Sequence, residues 1–117
     1  MANTVNIRLV SIQCFFSDEA DGDEIFLKYK GRKVWPKNKW YVSMKDDIKK
    51  IEIELNDVPL DEPLVLEVWD YDFLSANDLL GKFTMVLEDS HHSSYQTNMV
   101  PTKMGDIANY TLVWEIL

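Results

Sequence analysis

The stretch Val68-Trp69-Asp70-Tyr71-Asp72, followed by Ser75, Asp78 and Leu80-Gly81, decides the interpretation of this chain. An apolar strand leads directly into a loop, and three carboxylates lie within nine residues. At an effective dielectric of about 20, each close pair of carboxylates costs on the order of 3 kcal/mol. A bound cation removes that cost, and hard oxygen ligands of this kind suit calcium. The stretch therefore predicts a calcium site.

A second acidic segment lies between the first apolar segment and the strand that begins near Ile25; it contains Asp18, Glu19, Asp21 and Asp23. Loops at one end of a β-sandwich converge in space although they are distant in sequence. About five carboxylates, together with backbone carbonyls, match the roughly six to eight oxygens that calcium takes. We expect the two acidic loops to meet at one rim.

The apolar pattern has period two almost throughout, which predicts strands. Eight segments carry it, near residues 5–16, 25–29, 33–35, 40–44, 51–55, 64–69, 79–86 and 110–116, and a weaker strand is expected near 95–100. The apolar phase shifts between Leu9 and Val10, which indicates a β-bulge. No amphipathic helix stands out. The predicted fold is all-β, an eight-stranded antiparallel β-sandwich.

The length of the chain predicts the number of domains, and its net charge argues against two classes of binding partner. The 117 residues predict a single domain over 1–117, and 46% hydrophobic content is typical of globular proteins. The net charge of −8 argues against nucleic acid as a binding partner and against constitutive attachment to anionic membranes. Cys14 is the only cysteine and is expected to be a buried thiol. With no visible secretory signal and no run of about 20 apolar residues, we expect a cytoplasmic protein.

The pattern Asp70-x-Asp72-x-x-Ser75-x-x-Asp78-x-x-Gly81 resembles the third calcium-binding loop of C2 domains, the calcium- and phospholipid-binding β-sandwich family. Gly22-Asp23 ahead of an Ile-Phe-Leu-Lys strand resembles the family's first loop, and the resemblance spans the whole chain. It implies calcium as cofactor, with Ser75 as an auxiliary ligand beside the carboxylates of Asp18, Asp23, Asp70, Asp72 and Asp78. Asp18 lies one residue closer to Asp23 than the family's usual spacing, so Asp21 competes for its role.

The resemblance also implies calcium-dependent docking onto phospholipid membranes. Without metal, an acidic rim is repelled by an anionic bilayer, whereas each bound calcium adds two positive charges, so the switch is electrostatic. Phe73 and Leu74, at the loop tip, are the expected membrane contacts. Burial of such a side chain is worth roughly 1.5–3 kcal/mol, which gives reversible attachment of a peripheral protein.

Other interpretations of the same residues stay open. The aspartates could cap their own turns, and Phe73 and Leu74 could pack back onto the rim. The fold could instead serve as a protein-interaction module of a larger assembly, with calcium structural or absent. Trp40 is the tryptophan best suited to a partner contact.

Catalysis is not expected. Asp70-Tyr71-Asp72 matches the Asp-x-Asp of haloacid-dehalogenase-like phosphatases and of glycosyltransferases, but both require an α/β fold with long helices. One cysteine and the adjacent pair His91-His92 provide no nucleophile–base arrangement, and the four glycines are scattered.

Overall fold

The structure is a computed structural model that describes residues 3–89, 93–103, 105 and 107–117. His91 and His92 lie outside these residues. Strands are the regular elements of the described chain: β1 (Thr4–Phe16), β2 (Asp23–Tyr29), β3 (Arg32–Trp35), β4 (Val42–Met44), β5 (Ile48–Pro59), β6 (Leu64–Asp70), β7 (Asp78–Met85), β8 (Ser93–Asn98), β9 (Val100–Pro101) and β10 (Asn109–Ile116).

The strands form two antiparallel sheets that pack as a sandwich. Sheet 1 has the order β5-β1-β10-β8, and sheet 2 has the order β3-β2-β6-β7-β9, with β4 also paired to β2. The all-β sandwich predicted from the sequence is confirmed. The predicted strand number was wrong, because the described residues contain ten strands rather than eight. The difference lies in the region expected to hold one weak strand, where β8 and β9 join opposite sheets.

The bulge predicted in the first strand is confirmed, and core packing explains it. Leu9 and Ile12 are both fully buried although they are three positions apart, an odd offset that simple alternation would place on opposite faces. The register shifts between Leu9 and Ser11 against both β5 and β10, so the extra residue returns the later apolar side chains to the core. Cys14 is buried, as expected.

The core lies between the sheets, where Trp114 and Tyr110 of sheet 1 pack with Phe83 and Leu66 of sheet 2. Gly81 is required by a close approach of backbones in sheet 2. A Cβ at this position would meet the carbonyl oxygen of Val100 and would lie 2.7 Å from Cγ of Met99. Gly81 therefore lets β9 lie against β7.

Strand ends define the rim of interest. β1 ends at Phe16 and β2 begins at Asp23, while β6 ends at Asp70 and β7 begins at Asp78. We call residues 17–22 the first acidic loop and residues 71–77 the second acidic loop. Because Asp70 pairs with Ile25 of β2 and with Asp78 of β7, both loops leave the sandwich at the same end. Among the described residues, none forms a helix with the length and apolar character needed to cross a bilayer.

Candidate metal centre

Three carboxylates from the two acidic segments meet at the rim. One oxygen from each of Glu19, Asp23 and Asp70 lies within 4.8 Å of the others. Glu19 belongs to the first acidic loop, Asp23 begins β2, and Asp70 ends β6. The expectation that the two segments converge is confirmed.

Asp23 is the innermost member of the cluster, with its side chain fully buried. Its oxygens accept hydrogen bonds from the backbone N–H of Asp18 at 2.9 Å and of Glu19 at 3.1 Å. The Tyr110 hydroxyl donates a third, at 2.6 Å. Protein donors therefore satisfy most of this carboxylate, which fixes its position and orients the first acidic loop around it.

Sequence reasoning missed the role of Tyr110. The pKa of this phenol is raised mainly by burial and, to a smaller extent, by the hydrogen bond to Asp23. Tyr110 therefore stays protonated and remains a hydrogen-bond donor. A signal was present in the sequence, since Tyr110 occupies a core-facing position of the last strand and a buried tyrosine hydroxyl needs a partner. The sequence could not say which partner, because Asp23 lies 87 residues away.

Among the three clustered carboxyl groups, Asp70 has the most unfavourable environment for a negative charge. Its side chain is 7% exposed, and burial raises its pKa from 3.8 to about 7. The backbone N–H of Glu24 opposes the shift by donating to Oδ1 at 3.0 Å, whereas the charges of Glu19, Asp23 and Glu24 add to it. A carboxyl with this environment is stabilised by a proton or by a cation.

Asp72 and Ser75 form a separate group within the second acidic loop. Asp72 is exposed and accepts hydrogen bonds from the backbone N–H of Leu74 at 2.8 Å and from the Ser75 hydroxyl at 2.7 Å. The Ser75 hydrogen bond is the main cause of the lowered pKa of Asp72. This is the turn-capping arrangement that was the alternative to metal ligation.

The remaining candidates lie around the cluster rather than in it. Asp18, Asp21 and Asp78 are exposed, and none of them contributes an oxygen to the group within 4.8 Å. Asp18 contributes its backbone N–H to Asp23 instead. The described cluster includes Glu19, which the sequence pattern had not selected as a ligand. The pKa of Glu19 is raised by desolvation, and next by the charge of Asp21.

Oxygen ligands of like charge at this spacing are chemically suited to a hard divalent cation such as calcium. Asp70 and the exposed Glu19 offer the freest acceptor capacity, because Asp23 already accepts three protein donors. A metal ion held here would be bound from the solvent side of the rim, by Glu19 and Asp70 with a contribution from Asp23.

The tip of the second acidic loop is apolar and open to solvent. Phe73 is 84% exposed and Leu74 is 89% exposed. The alternative that these side chains pack back onto the rim is therefore wrong. Trp40 is also 70% exposed, whereas Trp35 and Trp114 are buried in the core.

The protein is therefore a β-sandwich in which two acidic segments converge at one rim. The sequence model of the C2 domain family matches residues 47–101, a segment that includes the second acidic loop but not the first. Among solved structures, the chain is similar to the C2A domain of plant Extended Synaptotagmin 1, with a TM-score of 0.56 and 12% identity over 98% of this chain and 94% of that one. No curated protein matches the chain. The resemblance to C2 domains is confirmed, and this protein has the C2 fold.

Proposed function

We propose that residues 1–117 form a single C2-type domain that binds calcium and docks reversibly onto phospholipid membranes through the two acidic loops. One observation supports this above all: carboxylates of Glu19, Asp23 and Asp70, brought together from separate segments, lie within 4.8 Å of one another. Their mutual repulsion and the burial of Asp70 make the metal-free rim unfavourable. Calcium binding would relieve both.

The proposed ligands are the carboxylates of Asp23 and Asp70, joined by Glu19 as the first-loop residue nearest to them. Asp72, Ser75 and Asp78 complete the set implied by the C2 resemblance. For Asp72 and Ser75 to bind the ion, they would exchange hydrogen bonds within their own loop for metal coordination. Asp18 and Asp21 are the alternative first-loop ligands.

The proposed mechanism needs no catalytic group and no large motion. Calcium would neutralise the negative charge of the rim, and an open coordination position on the ion would hold a lipid phosphate or carboxylate. The exposed side chains of Phe73 and Leu74 would then enter the boundary between headgroups and acyl chains. The protein would be cytoplasmic and would become peripheral to the membrane when calcium rises.

The second candidate is a non-enzymatic protein-interaction module in which calcium is structural or absent. Its support is the hydrogen bonding of the rim, because Asp23 and Asp72 are each already satisfied by protein donors. In that case the rim would keep its shape without metal, and a partner would bind regardless of chelator.

Calorimetric titration with calcium tests the proposal on the wild type, Asp70→Asn and the matched control Asp61→Asn. Asparagine keeps an oxygen for the Glu24 N–H but removes the charge, while Asp61 is an exposed turn residue. We expect wild type and Asp61→Asn to bind calcium and Asp70→Asn to lose at least tenfold in affinity, roughly the effect of one lost charged ligand. Absence of any binding heat at millimolar calcium would refute calcium binding.

Co-sedimentation with phosphatidylserine–phosphatidylcholine vesicles separates the two candidates. The membrane proposal predicts sedimentation with calcium and release by chelator, and loss of sedimentation when Phe73 and Leu74 are both changed to serine. A calcium-loaded protein that stays in solution at every lipid composition would favour the interaction module.

A further inference from the structure

Three aromatic rings join the second acidic loop to the segment between β3 and β4, residues 36–41. Tyr71 stacks on Tyr41, with ring centroids 5.2 Å apart, and Trp40 meets Tyr71 edge-on at 5.5 Å. Tyr71 lies between Asp70 and Asp72, and it is two residues from Phe73. Trp40 is thus held next to the loop that carries the proposed membrane contacts.

The exposure of Trp40 has no explanation within the fold. Tyr71 and Tyr41 are partly buried, but Trp40 remains 70% exposed. The ring contacts Tyr71 edge-on, and the carbonyl of the neighbouring Lys39 accepts a hydrogen bond from Lys33 Nζ. An exposed tryptophan ring beside an exposed apolar loop tip is typical of a contact surface.

The surface beside Trp40 has the opposite charge to the rest of the chain. Two adjoining grooves share Lys39, Val42 and Lys49, and together they are lined by four lysines (Lys37, Lys39, Lys49 and Lys50) and one acidic residue, Glu52. The chain as a whole has a net charge of −8. A basic surface next to an exposed tryptophan is complementary to an anionic, amphipathic partner.

We propose that Trp40 is a second membrane anchor, seated at the headgroup level of an anionic bilayer, which tilts the domain so that Lys37 and Lys39 also face the lipid. This inference rests on the proposed function, because it extends the same docking surface from the tip of the second acidic loop to the segment 36–41. Tryptophan is suited to this depth, since its ring is apolar and its indole N–H stays hydrated. Two separated anchors fix the tilt of the domain along the line that joins them, which one loop tip does not.

The test uses tryptophan emission of the full chain with calcium and phosphatidylserine–phosphatidylcholine vesicles whose acyl chains are brominated near the headgroup. The variants are Trp40→Phe, Trp40→Ala and Val86→Ala; Val86 is an exposed apolar residue just beyond β7, at the opposite end of the sandwich. We expect bromine to quench the wild type and Val86→Ala but not Trp40→Phe. Trp40→Ala should weaken vesicle partitioning about tenfold, and Trp40→Phe should weaken it less.

The outcomes separate this inference from the function on which it depends. If vesicles bind but bromine does not quench Trp40, and Trp40→Ala partitions like Val86→Ala, the second anchor is wrong while calcium-dependent docking stands. If no variant binds vesicles, both proposals fail. If polyglutamate shifts the Trp40 emission and brominated vesicles do not, the surface belongs to an acidic protein partner and the inference is overturned. Urea unfolding of each variant confirms that the fold is intact.

Discussion

The hydroxyl of Tyr110 donates a 2.6 Å hydrogen bond to Oδ2 of Asp23, and both side chains are fully buried. The bond connects β10 of sheet 1 to the first residue of β2 in sheet 2, so it crosses the interior of the sandwich. It holds one carboxylate of the proposed metal centre in place before any ion arrives. The same bond also uses acceptor capacity that an ion would otherwise take.

Removal of this donor should have opposite effects on stability and on calcium binding. We expect Tyr110→Phe to lower the free energy of unfolding of the metal-free protein by roughly 1–3 kcal/mol, because a buried carboxylate loses a partner. Calcium affinity should not fall, and the stabilisation by saturating calcium should increase. Urea unfolding with and without calcium measures both. Tyr95→Phe is the control, since the Tyr95 hydroxyl makes no hydrogen bond to a described residue; an equal loss there would contradict the assignment.

The stability of the metal-free protein should depend on the protonation of Asp70. Burial raises the pKa of Asp70 to about 7 in the folded protein, while an unfolded aspartate has a pKa of about 3.9. The folded state therefore holds more protons than the unfolded state between these values, and its stability falls as pH rises through this window. The full loss is on the order of 4 kcal/mol.

Asp70→Asn removes this titration, so its stability relative to the wild type should rise between about pH 4 and pH 8 and then level off. The difference between the two proteins, measured by urea unfolding at each pH in chelator, cancels the other titrating groups. The exposed control Asp61→Asn should show a flat difference. A flat difference for Asp70→Asn as well would mean that Asp70 is not strained.

The sequence predicted what depends on local pattern. Period two predicted the strands, the phase slip after Leu9 predicted the bulge, and the spacing of Asp70, Asp72 and Ser75 predicted an acidic loop at a strand end. These features are visible because residues that share a face or a turn are close in sequence.

Features that depend on where distant segments meet were not predictable. The resemblance to C2 domains implied Asp18 or Asp21 as the first-loop ligand, but the chain path brings Glu19 into the cluster with Asp23 and Asp70. Likewise, no pattern indicated that Tyr71 would stack on Tyr41. The split of the weak 95–100 segment into strands of two different sheets depends on tertiary packing that a short, half-exposed sequence does not encode alone.

Single charge removals can identify the first-loop ligand. We expect Glu19→Gln to reduce calcium affinity by roughly tenfold, with smaller effects for Asp18→Asn and Asp21→Asn, because only the Glu19 carboxylate lies within 4.8 Å of Asp23 and Asp70. All three variants remove one exposed negative charge, so their long-range electrostatic effects are matched. Calorimetric titration decides the order. A larger loss for Asp18→Asn or Asp21→Asn would assign the ligand there.

Ser75→Ala tests whether the second acidic loop is shaped by its own hydrogen bonds. The Ser75 hydroxyl donates to Oδ2 of Asp72 and is the main cause of the lowered Asp72 pKa. The variant should return that pKa towards its ordinary value, which a carbon-detected NMR titration of the Asp72 side chain would follow. Because both residues are exposed, global stability should change by less than about 0.5 kcal/mol. An unchanged pKa would show that the backbone N–H groups alone set it.

A comparison of two glycines separates steric crowding from backbone strain. Gly81→Ala should destabilise the protein by about 1–3 kcal/mol, since the new Cβ would collide with the Val100 carbonyl and with Met99. Gly31→Ala meets nothing within 4 Å but has a φ of +78°, so its cost should be only about 1 kcal/mol. Hydrogen exchange should then show faster opening at the amide of Thr102, which bonds to the Leu80 carbonyl, in Gly81→Ala but not in Gly31→Ala. Equal costs, with no local opening beside β9, would mean that β9 does not need the close approach.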